Sequence, residues 1–97
     1  PTLLFANHPQ EWFGVPMAVV ARIERIQATQ IETVGNREVL QYRGGTLNLL
    51  NLEDCITARP REAQSRLYVI VFRHGGRELG LVAPEILDIR DLPANID

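Results

Sequence analysis

Arg37-Glu38-Val39-Leu40-Gln41-Tyr42-Arg43-Gly44-Gly45-Thr46-Leu47-Asn48-Leu49-Leu50, residues 37–50, is a pair of short apolar runs joined through Arg43-Gly44-Gly45. A glycine pair between two such runs allows the left-handed backbone of a tight reversal, so the stretch reads as a β-hairpin. Just upstream, residues 31–34 meet residues 37–42 across Gly35-Asn36, a two-residue connection of the same kind. Leu47 and Leu49 share one face of the second run. Leu50 and Leu52 break that alternation, so the chain is expected to bulge or enter a helical turn over residues 52–56.

The pattern continues in both directions. Residues 2–6 and 11–15 flank Asn7-His8-Pro9-Gln10, a turn-forming tetrad that predicts a first hairpin. Pro16 then interrupts, and residues 17–23 admit one helical turn, with strand resuming near Val20. Residues 57–65 carry Pro60, Arg59, Arg61, Glu62 and Gln64 and read as a solvent-exposed connector. Residues 67–72 are apolar at every position, which predicts a strand buried on both faces at the centre of the core. His74-Gly75-Gly76 turns it into residues 77–83, where Gly80 predicts the close approach of another backbone. After Pro84, residues 85–89 form a last short strand before a polar tail, residues 90–97. The whole reads as all-β, a small barrel or sandwich.

Composition narrows the function. Ninety-seven residues make one domain with a modest core. No apolar run approaches the roughly 20 residues that cross a bilayer, so direct membrane insertion is not expected. A net charge of −2 gives no general attraction for nucleic acid, which needs a clustered positive field. The single cysteine, Cys55, forms no internal disulfide, and a cytoplasmic setting is expected. A chain that opens on Pro1 is expected to be one domain, residues 1–97, of a longer protein.

No constellation of residues points to catalysis. A thiol enzyme needs Cys55 beside His8 or His74, yet both histidines fall in predicted turns and Cys55 reads as a small buried hydrophobe. One cysteine and two distant histidines lack metal-ligand spacing, so neither metal nor cofactor is expected. Neither glycine pair opens a helix, so phosphate binding is not indicated. Arg59, Arg61 and Arg66 lack interleaved aromatics for base stacking, which favours a solvated loop over nucleic acid. Of Trp12 and Phe13, one is expected to fill the core and the other is free to anchor an interface.

The order of segments carries a resemblance. Glu11-x-Phe13-Gly14-Val15-Pro16, then Val20-x-x-Ile23-x-x-Ile26, then Gln41-Tyr42-Arg43-Gly44 with Leu47-x-Leu49-Leu50-x-Leu52, and then Gly76-Arg77-x-Leu79-Gly80-Leu81-Val82 with Ile86-Leu87-Asp88-Ile89, together resemble the CheW-like domain. The resemblance implies two small five-stranded, SH3-like barrels around a shared core. It implies a non-catalytic role, coupling a chemoreceptor's cytoplasmic tip to a CheA-type histidine kinase. Gln41-Tyr42-Arg43-Gly44 stands where the family usually has N-L-R-G, and this variant is more similar to the regulatory domains borne by such kinases, hybrid ones included, than to the free adaptor. Arg43 and Gly44 carry over directly, whereas Arg22 stands where adaptors often have an acidic residue. Partner-binding residues implied by the resemblance are Arg43, Gly44, Val20, Ile23 and Leu50, the last three offering an apolar groove to a receptor helix, while Arg43 either pairs with a carboxylate across a kinase contact or braces the hairpin through local carbonyls. The family runs on for further strands beyond residue 97, so an open edge and self-association are also expected. The competing readings are an inert regulatory piece of a kinase whose chemistry lies elsewhere, and an unrelated SH3-like or oligonucleotide-binding barrel.

Overall fold

A computed structural model of the chain describes residues 1–90, and every regular element in it except three one-turn 3₁₀ helices is a β-strand. The strands are β1 (Thr2–His8), β2 (Glu11–Pro16), β3 (Val20–Gln27), β4 (Ile31–Val34), β5 (Arg37–Tyr42), β6 (Gly45–Asn51), β7 (Arg66–His74), β8 (Arg77–Ala83) and β9 (Glu85–Arg90). They form a three-stranded sheet, β2-β1-β9, and a six-stranded one, β3-β7-β8-β6-β5-β4. All the pairings are antiparallel except β6 with β8.

The six-stranded sheet is strongly curled. β3 and β5 stand four strand spacings apart, about 19 Å if the sheet were flat. The Tyr42 hydroxyl on β5 nevertheless donates to Glu24 Oε2 on β3 at 3.3 Å. Inside the curl lies one core of Ile26, Leu40, Leu47, Leu49, Leu67, Val69, Val71 and Val82. Gly80 faces this core, where an added Cβ would come within 2.6 Å of Val69 Cγ1 and 2.9 Å of Leu49 Cδ2. The glycine therefore makes room for side chains, and not for the backbone its sequence context suggested.

A second core lies between the two sheets. Leu3 and Phe5 of β1 meet Leu52, Ile70, Leu81 and Ala83, with Phe13, Val15, Val20, Ile23 and Phe72 packed around them. β7 explains how one chain makes both cores. Its alternate residues Leu67, Val69 and Val71 point into the curl, while Ile70 between them points to the other side. The expected strand buried on both faces is thus the partition between two small subdomains. Among the described residues the strand pairings leave both sheets open at their edges.

The hairpins, the helical turn at Met17–Val19 and the one at Leu52–Asp54 fall where the sequence puts them. Other details differ. Asn7 is not in the first turn: it sits in β1, fully buried, and its Nδ2 donates to Glu53 Oε1 at 3.0 Å and to the Arg59 carbonyl at 2.8 Å. His8 and His74 end strands β1 and β7 instead of occupying turns. Cys55 is exposed, because the 3₁₀ turn rotates Leu52 into the core and leaves the following residues outside. The connector is irregular as expected, yet it is tied down: the Arg59 N–H donates to Glu11 Oε1 at 2.6 Å and Arg61 Nε to Asn51 Oδ1 at 3.0 Å. Arg66 belongs to β7, not to that loop. Residues 91–97 of the polar tail lie outside the described residues.

Candidate functional site

The outer face of the six-stranded sheet carries two cross-strand rows. In one, Ile23 faces Ile70, Ile70 faces Leu81 and Leu81 faces Leu50. In the other, Val20 faces Phe72, Phe72 faces Leu79 and Leu79 faces Asn48. Strict alternation would turn Val20 and Ile23 to opposite faces. A register shift between Val20 and Arg22 inserts Ala21 as an extra residue and brings both onto this face.

The three-stranded sheet covers the middle of the first row, so Ile70 and Leu81 are buried. Its ends emerge as half-buried Ile23 on one flank and Leu50, 39% exposed, on the other. Three strand spacings, about 14 Å measured along the sheet, separate them. The second row is less covered, since Val20, Phe72 and Leu79 are all only half-buried. Beside Leu50 opens a groove of about 550 Å³ whose lining includes Asn48, Leu50 and Leu79 together with the charged Arg37, Glu38, Asp54 and Arg77.

Arg43 and Gly44 lie elsewhere, in the turn between β5 and β6. Both have positive φ, 52° and 76°, the backbone of a tight two-residue hairpin turn in which glycine is comfortable and arginine is strained. Arg43 is exposed, and its guanidinium lies 5.5 Å from the centre of the Tyr42 ring. Arg22 approaches the same ring at 5.7 Å. Burial, with the Glu24 carboxylate adding to it, pushes the Tyr42 phenol above its usual value, against the opposing pull of Arg22 and Arg43. Arg22 and Arg73 both donate to Glu78 Oε2, at 2.8 and 2.9 Å. Hydrogen bonding from Arg73 first, and from Arg22, holds that carboxyl below its usual value.

The five residues singled out in the sequence therefore divide between two places. Val20, Ile23 and Leu50 share the apolar face, and Arg43 and Gly44 cap the mouth of the curled sheet. Phe72, Leu79, Arg37 and Arg77 were missed on the first, and Tyr42 and Arg22 on the second. Leu79 and Arg77 stood in the segment that carries the resemblance but were given no role; Phe72 lay hidden in a run that is apolar throughout. Trp12 is exposed while Phe13 stacks on Phe5 at 5.9 Å, which resolves that pair.

The arrangement offers surfaces more than reactive groups. Among the described residues no group of three or more His, Cys, Asp or Glu is placed to hold a metal. No helix among them is long and apolar enough to cross a membrane.

Comparison with known proteins agrees with this architecture. The sequence profile of the CheW-like domain matches residues 2–95. The chain is 26% identical over 80 residues to the chemotaxis protein CheA of Listeria monocytogenes, covering 82% of this chain and 13% of that protein. It is 25% identical over 85 residues to the sensor histidine kinase CheAY of Helicobacter pylori, covering 87% of this chain and 11% of that one. It thus spans a small fraction of the curated relatives it matches. The crystal structure of the scaffolding protein TtCheW from Thermoanaerobacter tengcongensis superposes with a TM-score of 0.80 at 14% identity, over 96% of this chain and 62% of that one, a likeness of fold. With the profile matching nearly its whole length, the chain belongs to the CheW-like domain family.

Proposed function

We propose that this domain is a non-catalytic coupling module of a chemosensory assembly, docking a chemoreceptor's cytoplasmic tip, a CheA-type kinase regulatory domain, or both. The observation that carries the reading is the half-covered apolar face: Val20, Phe72 and Leu79 in one row, with Ile23 and Leu50 at the ends of the next. Such a face fits the apolar stripe of an amphipathic helix, which leaves its polar side in water. Arg43 is the candidate for a second contact, because its guanidinium is exposed and stacked on Tyr42 with no carboxylate partner among the described residues. A pre-positioned arginine of this kind suits recognition of a partner's carboxylate.

A second reading places the domain within a kinase chain, since the curated relatives include a sensor histidine kinase of which it matches only a small part. A nucleotide-binding catalytic region in the same polypeptide would establish that version. Both versions share one test, calorimetric titration of the folded domain with a receptor tip and, separately, with a kinase regulatory domain. Saturable binding to either is expected; a folded domain that binds neither would remove the coupling role.

A further inference from the structure

Arg22 stands between the two candidate contact places and touches parts of both. Past the bulge at Ala21, Arg22, Glu24 and Ile26 alternate onto the inside of the curled sheet, while Ile23 goes to the outer face. Arg22 faces Val71 on β7, and its guanidinium reaches beyond that strand to β8, where Nη2 donates to Glu78 Oε2 at 2.8 Å. The same guanidinium lies 5.7 Å from the centre of the Tyr42 ring on β5. One side chain thus ties together β3, β8 and β5. Val20, two residues earlier on β3, and Leu79, next to Glu78 on β8, belong to the apolar face. Arg43 follows Tyr42 directly and stacks on its ring at 5.5 Å.

Two observations indicate that this guanidinium serves geometry more than stability. Its Nε is buried without a hydrogen-bond partner among the described residues, and a buried, part-satisfied charge is a weak stabiliser. Glu78 is also held by Arg73 at 2.9 Å, so removing Arg22 leaves no buried carboxylate without a cation. What Arg22 adds is the tie between β8 and the ring. Tyr42 is anchored by its hydroxyl, which donates to Glu24 at 3.3 Å, and a phenol held at that end alone can still turn about its long axis. A planar guanidinium against the ring limits that turning.

We propose that Arg22 is a positioning residue that links the two places: it holds the Tyr42 ring, and through it the Arg43 guanidinium, in step with β3 and β8, the strands that carry Val20 and Leu79. A helix docked on the apolar face fixes those two strands, and with them Arg22 and Glu78. The ring is then already ordered when a partner's carboxylate reaches Arg43, so each contact strengthens the other. The identity of the two occupants rests on the coupling role proposed above; the geometry of the link does not.

The link is tested first without any partner, by nuclear magnetic resonance of the intact protein. The side-chain resonances of Arg43 are expected to be shifted upfield by the Tyr42 ring, and in Arg22→Met to move toward free-arginine values while the melting temperature stays within a few degrees of the parent's. Arg22→Lys, which keeps the charge and loses the planar contact, is expected to release the ring in the same way. With a receptor-tip helix added, the Arg43 resonances should move in the parent and stay still in Arg22→Met. Against a kinase regulatory domain, Arg22→Met should weaken binding about threefold or more and cost nothing further once Arg43 is already alanine. Arg43 resonances that are the same in the parent and both Arg22 variants, or losses that multiply in the double variant, would overturn the proposal. A parent that binds neither probe would remove the coupling role alone, because the partner-free resonances still decide whether Arg22 positions the ring.

Discussion

Arg43 combines a conformation that disfavours it with an exposed, stacked guanidinium, and the two effects separate by substitution. The left-handed backbone costs a non-glycine residue roughly 1–2 kcal/mol, whereas an exposed cation–π contact returns about 0.5–1 kcal/mol. Arg43→Gly is therefore expected to melt at or above the parent's temperature, and Arg43→Ala within a few degrees of it, while both bind partner more weakly. Paired thermal melts and titrations check this; a large fall in melting temperature for both would make the residue structural. Glu78 gives a pH prediction at the same scale. Its folded value lies below the ordinary 4.5 because Arg73 and Arg22 hydrogen-bond its charged form, so its contribution is present above 4.5 and is lost as pH falls through the folded value. Glu78→Gln is expected to be less stable than the parent at neutral pH, with the gap closing as pH drops below 4.5. Denaturant midpoints across the acid range would show a constant gap if the pairs were inert.

β7 is the element on which both cores depend. Ile70 is wholly buried in the core between the sheets, and Val69 next to it is wholly buried in the curled sheet. Ile70→Ala is expected to cost about 2–5 kcal/mol, and to lower the stability of both subdomains together because they share the strand. Hydrogen exchange of β5 and β1 amides would reveal it; loss of protection in β1 alone would mean that the subdomains unfold independently. The strand itself was legible in sequence, since residues 67–72 admit no polar face. So were the turns, where Gly35, Gly44, Gly75 and Gly76 all have positive φ. Asn7 was not, because a residue that favours turns is also one that can satisfy a buried strand through side-chain hydrogen bonds. Nor was the bulge at Ala21, whose identity carries no sign of an extra residue and which decides where Val20 points.

At the scale of the whole molecule, the sheets pack so that one covers the other incompletely, and that incomplete cover makes the candidate docking face. Sequence reasoning found three of its residues through family resemblance, and missed Phe72 and Leu79 because exposure on a shared face depends on how far the second sheet reaches. The coupling role rests on this face. The most direct test is nuclear magnetic resonance mapping of backbone amides and methyl groups during titration with a receptor-tip helix. Perturbations are expected to cluster at Val20, Ile23, Leu50, Phe72 and Leu79 and to fade in Leu50→Asp, a change at an exposed position that leaves the melt near the parent's. Saturable binding whose perturbations lie away from these five residues, or that Leu50→Asp leaves unaltered, would contradict the assignment of this face.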